Sequence, residues 1–456
     1  MVSYSFPAGF QWGTATSAYQ IEGATTIDGR KPSVWDTFSK MRGRTFKGQT
    51  GDQACDHYHR YKDDIQLMAA LGVKNYRFSI SWCRIIPDGR GDVNEAGVDF
   101  YRRLVDCLLE HGITPYATLF HWDSPQALED RYGSWRSREM ANDFADYVSA
   151  IVSRLGDRIT HWTTLNEISC FTQMGYCVIG TPKHAPGTRV RSKKEVWQTT
   201  HHALLAHGLG AQAIRAASVR SCSVSIVDNF GVTVPLTESP EDIDAAKKAF
   251  QYHCGNGGIV YPIVTGAYNQ AFLDQLGRDA PDVQAGDLEI IHQPLDFLGL
   301  NIYTGTYIRA ADNWQGCEWI DFPKGYPALH MPWLQLVPES LYWGIRHVSE
   351  TLNRPDLPIF ITENGCAAQD EVKGGEILDL DRILYLRQHL IGVQRAAAEG
   401  YPILGYFVWS FMDNFEWSYG FDRRFGITYV DYRTQKRIPK SSYHWYAECV
   451  RQNRVV

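Results

Sequence analysis

Apolar residues in this chain follow two alternating spacings. Tyr58, Tyr61, Ile65 and Met68 recur three or four positions apart, the stripe of a helix buried on one side. Gly72 closes that stripe, and the run Asn75-Tyr76-Arg77-Phe78-Ser79-Ile80 follows at once as a strand. The pair then repeats. Tyr101, Leu104 and Leu108 end at Gly112 and lead into a strand from Thr114 to Leu119; Phe144, Val148, Ile151 and Leu155 end at Gly156 and lead into a strand from Ile159 to Leu165. Helix, glycine and strand recur at roughly 40-residue intervals, as repeated β–α units do.

The rest extends the series. A strand over 10–16 opens the chain. Beyond residue 165 the pattern predicts a helix over 197–217, a strand over 222–227 and a helix near 241–254. A strand at 296–301 follows, then an irregular aromatic loop over 304–336 and a helix near 338–353. Strands at 358–362 and 403–409 flank a helix near 380–399, and a helix near 439–452 closes the chain. Eight strands, each followed by helix, predict an α/β fold, one (β/α)8 TIM barrel. No linker or low-complexity tract divides the 456 residues, so 1–456 reads as one catalytic domain.

Reactive groups in such barrels sit at the C-terminal ends of the strands. Leu357-Pro358-Ile359-Phe360-Ile361-Thr362 is apolar throughout and stops on Glu363, before Asn364-Gly365 turns the chain. Taken alone, that carboxylate could be a helix cap or half of a salt bridge. The other strand ends offer Gln20, Arg77, His121 with Trp122, Asn166 with Glu167, and Asn301 with Tyr303; the last offers Trp409, with Glu416 and Trp417 in its loop. Two glutamates ending different strands are what glycoside hydrolysis needs: one carboxylate attacks the anomeric carbon and the other protonates the leaving oxygen. Their separation decides retention against inversion, and sequence does not give it.

Composition narrows the partners. A net charge of −6 disfavours nucleic acid and anionic membranes. Fourteen Trp and 25 Tyr suit a sugar cleft, and equally a large aromatic core. Ten cysteines without C-x-x-C spacing read as buried free thiols in a reducing compartment. The N-terminus lacks a basic and an apolar signal region, and no run is long enough to span a membrane, so the expected address is cytoplasmic. His57/His59 and His201/His202/His207 lack a metal-ligand spacing, and no phosphate-binding glycine loop occurs. No metal and no cofactor is expected. Self-association into a homo-oligomer stays open.

The motifs together resemble glycoside hydrolase family 1, the β-glucosidase family, over the full length. They are the stretch from Phe10 to Gly23, Tyr76-Arg77-Phe78-Ser79-Ile80-Ser81-Trp82, His121-Trp122-Asp123, His184-Ala185-Pro186-Gly187, Ile361-Thr362-Glu363-Asn364-Gly365 and the stretch from Trp409 to Trp417. The resemblance implies a retaining exo-β-glucosidase acting on cello-oligosaccharides and aryl β-glucosides, with some β-galactoside and β-fucoside activity. By the same resemblance Glu363 is the nucleophile, kept ionised by Arg77 and Tyr303, and Glu167 is the acid/base. Gln20, His121, Trp122, Asn166, Asn301, Glu416, Trp417 and Phe425 would hold the sugar, Trp409 would be its stacking floor, and Trp333 would stand on the aglycone side. An acid at 416 would repel a 6-phosphate, and Glu rather than Gln at 167 disfavours thioglucosides. Ile168-Ser169 stand where the family has proline and tryptophan, Met331-Pro332-Trp333 replaces Met-Gly-Trp, and Ser124 replaces a leucine. These departures imply an altered aglycone wall and leave transglycosylation open. A non-catalytic sugar-binding relative would be expected to lack the carboxylate pair.

Overall fold

A computed structural model describes residues 4–456. Met1 to Ser3, on which the reading of the N-terminus partly rests, lie outside the described residues. Eight parallel strands form the centre: β1 Gln11–Ala15, β2 Asn75–Ser79, β3 Thr114–Phe120, β4 His161–Asn166, β5 Ser223–Asn229, β6 Phe297–Asn301, β7 Ile359–Asn364 and β8 Ile403–Trp409. They follow one another around the ring in chain order. β1 pairs with both β2 (Gly13 opposite Asn75) and β8 (Gln11 opposite Gly405), so the sheet closes without an edge.

The main outer helices are α1 His57–Leu71, α2 Glu95–Glu110, α3 Glu139–Leu155, α4 Lys193–Ala217, α5 Pro240–Tyr252, α6 Ser340–Thr351, α7 Leu380–Ala398 and α8 Ser441–Gln452. Each turns an apolar stripe inward. In α1 the stripe is the one read from sequence, with Tyr58, Tyr61, Ile65 and Met68 all buried. Gly72 ends α1 in the left-handed region at φ +89°, which explains glycine there.

Side chains fill the barrel interior. Tyr116 on β3 stacks on His161 with ring centroids 4.2 Å apart and meets Phe407 and Phe360 edge-on at 5.1 and 6.0 Å. Phe297 packs on Phe360 at 5.0 Å. These rings come from five different strands and plug the barrel's N-terminal half.

Two expectations need correction. The stretch 304–336 is not wholly irregular. Thr306–Ala310 and Cys317–Trp319 join Thr233–Pro235 in a three-stranded sheet. Ala245, Ala246 and Ala249 of α5 share a small separate core with Ile308 and Cys317 of that sheet, which pulls the loop into order. Nine described cysteines are free, but Cys177 and Cys222 are only half-buried, and Cys222 precedes its strand rather than opening it. The Cys254 side chain lies outside the described residues. Among the described residues no helix is long and apolar enough to cross a membrane.

Just past β7 the chain runs against β8 with no space for a side chain. A Cβ on Gly365 would sit 1.7 Å from the carbonyl oxygen of Trp409. Gly365→Ala must therefore push two strand ends apart, and chemical denaturation should reveal a loss of about 3 kcal/mol. An unchanged midpoint would contradict that packing.

Candidate active site

The C-terminal mouth of the barrel gathers the polar strand ends. Glu363 lies on β7 opposite Asn301 of β6, just past a one-residue register shift that follows Ile361. Its Oε1 accepts from Arg77 Nη1 at 2.5 Å and its Oε2 from Tyr303 Oη at 2.7 Å. Arg77 comes from β2, across the barrel, and its Nη2 donates to Asn166 Oδ1 at 2.5 Å. Asn301 Nδ2 also donates to Asn166 Oδ1, at 3.1 Å, and to Glu167 Oε1 at 2.7 Å. Thr362 Oγ1 donates to Asn301 Oδ1 at 2.8 Å and so fixes which way that amide faces. One hydrogen-bonded array thus joins both glutamates through Arg77, Asn166 and Asn301.

Glu167 sits where β4 passes into the short helix Ile168–Thr172, at φ +49°, an uncommon backbone for a non-glycine residue. Its N–H donates to the carbonyl of Val227 at 2.9 Å. Burial, then the negative charge of Glu363, push its carboxyl up to about 7, against the pull of Asn301, Cys170 and Arg77. One carboxylate clamped by a guanidinium and a phenol, beside another that holds its proton to near neutrality, can divide nucleophilic from acid–base work.

The other predicted residues gather around this pair. Asn166 Nδ2 lies 3.2 Å from His121 Nε2. Burial and Arg77 push the imidazole well below its usual range, so His121 is neutral and Nε2 accepts. Its Nδ1 is buried without a protein partner. Trp122 Nε1 donates to the Asn166 carbonyl at 2.9 Å, and its ring lies 4.4 Å from that of Trp417. His121 stacks against both Trp409 and Trp417, at 5.8 and 6.0 Å. Tyr303 meets Trp333 and Phe425 edge-on at 5.7 and 6.1 Å; Phe425 is buried, whereas Trp333 is 42% exposed, at the outer rim. Gln20 Nε2 donates to Asn414 Oδ1 at 3.0 Å and to the Phe415 carbonyl at 2.9 Å, tying β1's loop to the segment that carries Glu416.

Sequence reading missed three neighbours of Glu167. Cys170 Sγ donates to Glu167 Oε2 at 3.1 Å; the i, i+3 spacing on a helix was its only signal. Asp228 accepts the Ile168 N–H at 3.2 Å, and burial together with Glu167 pushes its carboxyl well above the usual range. Asn229 accepts from Ser169 Oγ at 3.0 Å. At 168–169, where the sequence departs from the family pattern, Ile168 is wholly buried and Ser169 is half-buried. A cavity of about 1010 Å³ opens at the opposite, N-terminal mouth near Trp12, Tyr116 and His161, and none of the predicted residues lines it. Among the described residues no group of three or more His, Cys, Asp or Glu is arranged to hold a metal ion.

Known proteins resemble this chain end to end. Residues 2–455 match the sequence profile of Glycosyl hydrolase family 1. A 1,4-beta-D-glucan glucohydrolase of Thermotoga neapolitana is 43% identical over 451 residues, 98% of each chain. A bifunctional beta-D-glucosidase/beta-D-fucosidase of Bifidobacterium breve is 42% identical over 97% of each. The structure of a family 1 β-glucosidase from Thermotoga maritima superposes with a TM-score of 0.89 at 41% identity, covering 100% of both chains. That enzyme has also been solved in complex with deoxynojirimycin, with a TM-score of 0.89 at 42% identity, covering 99% of this chain and 100% of that one.

Glu416 is the unpaired member of the site's charge balance. Its Oε2 is buried without a partner, and burial, then Glu363 and Glu167, push its carboxyl from 4.5 up to about 8. Between those values the folded state holds a proton that the unfolded state has released, so this group's contribution to stability is complete below pH 4.5 and lost as pH rises through about 8. Glu416→Gln removes that loss. Thermal unfolding of the variant should decline less than wild type between pH 5 and 8, by on the order of a few kcal/mol. Parallel pH profiles would refute it.

Proposed function

The chain belongs to glycosyl hydrolase family 1, and we propose that it is a retaining, exo-acting β-glucosidase. In this reading it removes terminal, non-reducing β-D-glucosyl residues from short β-glucosides, such as cello-oligosaccharides and aryl β-glucosides. The observation that carries the proposal is the shared array of Glu363, Arg77, Asn166, Asn301 and Glu167, with the two carboxyl groups in opposite electrostatic settings.

Glu363 acts as nucleophile. Arg77 and Tyr303 hold one oxygen each, so the carboxylate meets the anomeric carbon in a fixed orientation, which lowers the entropic part of the barrier. Glu167 acts first as acid and then as base. Its carboxyl keeps its proton up to about pH 7 partly because Glu363 is charged. Forming the glycosyl-enzyme consumes that charge, so Glu167 then releases its proton more easily and can activate water. Asn166 is linked to Glu363 through Arg77 and to Glu167 through Asn301, where a 2-hydroxyl contact would strengthen in the transition state. Gln20, His121, Trp122, Asn301, Glu416 and Trp417 would bind the remaining hydroxyls, with Trp409 and Phe425 as apolar faces and Trp333 outside for the aglycone. The protonated Glu416 would donate to a sugar hydroxyl that relieves its buried oxygen, and would disfavour a phosphorylated sugar once ionised. Activity on β-fucosides is supported by the Bifidobacterium breve relative's name. The free thiols support a reducing, cytoplasmic address.

Glu363→Gly should abolish release of an aryl aglycone. Added azide should restore it and give the α-glucosyl azide, the inverted product. Azide acting on Glu167→Gly should instead give the β-azide. Exchange of those two outcomes would reverse the roles.

A further inference from the structure

The two oxygens of Glu167 have unlike partners. Asn301 Nδ2 reaches Oε1 at 2.7 Å, and Thr362 holds the amide so that this nitrogen stays in place. An N–H aimed at Oε1 favours the bare, more basic oxygen there and so biases the proton toward Oε2. Oε2 has a softer partner, the Cys170 thiol at 3.1 Å. A thiol is a weak donor and a weak acceptor whose hydrogen can swing away. The sulfur is itself positioned: Asn229 Nδ2 donates to it at 3.7 Å, and Ser169 Oγ holds the Asn229 carbonyl at 3.0 Å. That arrangement turns the S–H toward Glu167. Cys170 is buried, on the first turn after Glu167.

Resting on the assignment of Glu167 as acid/base, we propose that Cys170 is a positioning residue that reserves Oε2 of Glu167 for the transferable proton. In the first step the proton on Oε2 passes to the glycosidic oxygen, which also takes the electron pair of its breaking bond to the anomeric carbon. A Glu363 oxygen bonds that carbon. The bare Oε2 then accepts the S–H. In the second step water bonds the anomeric carbon and gives a proton to Oε2, the pair from the ester bond returns to Glu363, and the thiol yields. The donor Asn301 keeps Oε1 out of both steps.

The thiol favours the ionised carboxylate, so its removal should keep Glu167 protonated to higher pH. Besides Cys170, the charged and titratable groups facing Glu167 are Glu363, Arg77, Asp228, Tyr303 and Glu416, and the variants leave all of them in place. The test is the pH profile of kcat/KM for Cys170→Ala and Cys170→Ser, on a disaccharide and on 2,4-dinitrophenyl β-glucoside, whose leaving group needs no proton. With the disaccharide, Cys170→Ala should move the alkaline limb up by about half a pH unit, and Cys170→Ser, a stronger donor, should move it down. The dinitrophenyl limb should stay put. Should Cys170→Ala fail to fold, the downward shift in Cys170→Ser carries the test alone. Limbs that do not move, move the same way in both variants, or move equally on both substrates overturn the proposal. Glu167→Gln separates the two readings: if it damages both substrates equally, the acid/base assignment fails; if it spares the dinitrophenyl glucoside while Cys170 variants leave the limb unmoved, the role of Cys170 alone fails.

Discussion

Burying two glutamates around one cation, paired directly with Glu363 and acting on Glu167 at longer range, is the constraint around which this barrel mouth is arranged. Neither carboxyl could stay in so dry a place as an isolated charge. Arg77 meets the demand with its two terminal nitrogens, one on Glu363 and one on the Asn166 amide. A lysine could not do this, because its single nitrogen lacks the planar fork. The strand that carries this guanidinium, β2, is buried along its whole length. The electrostatics of the site therefore depend on barrel register: Arg77 on β2, Asn166 on β4, Asn301 on β6 and Glu363 on β7 meet only if the strands close in the observed order.

The same dependence explains what the sequence made legible. Strands buried on both faces write themselves as continuous apolar runs, so the barrel was readable and a carboxylate at the end of such a run stood out. Glu363 after Phe360-Ile361-Thr362 is the clearest case. The sheet formed by Thr233–Pro235, Thr306–Ala310 and Cys317–Trp319 was not readable. Its strands are short, one of them lies some way off in the chain from the other two, and the face it buries is a satellite core against α5.

Near Glu167 the limits are chemical rather than periodic. Ile168 stands at a position of family contrast, and what its identity does not show is that its backbone N–H, just past the left-handed Glu167, donates to the buried Asp228. Cys170, between Ser169 and Phe171, has the signature of a small hydrophobe. Only the local fold reveals that its sulfur faces a carboxylate. Donor geometry of this kind is set by one backbone angle, and no pattern of residue types encodes it.

The aromatic plug in the lower half of the barrel has a consequence for traffic. Tyr116, His161, Phe297, Phe360 and Phe407 close the floor, so the mouth is a dead end. Whatever sugar occupies the deepest position must leave by the opening it entered, past the place where the next molecule waits. A polymer cannot thread through and be cut repeatedly along its length. The occupant's departure and the newcomer's arrival are thus one queue through a single opening.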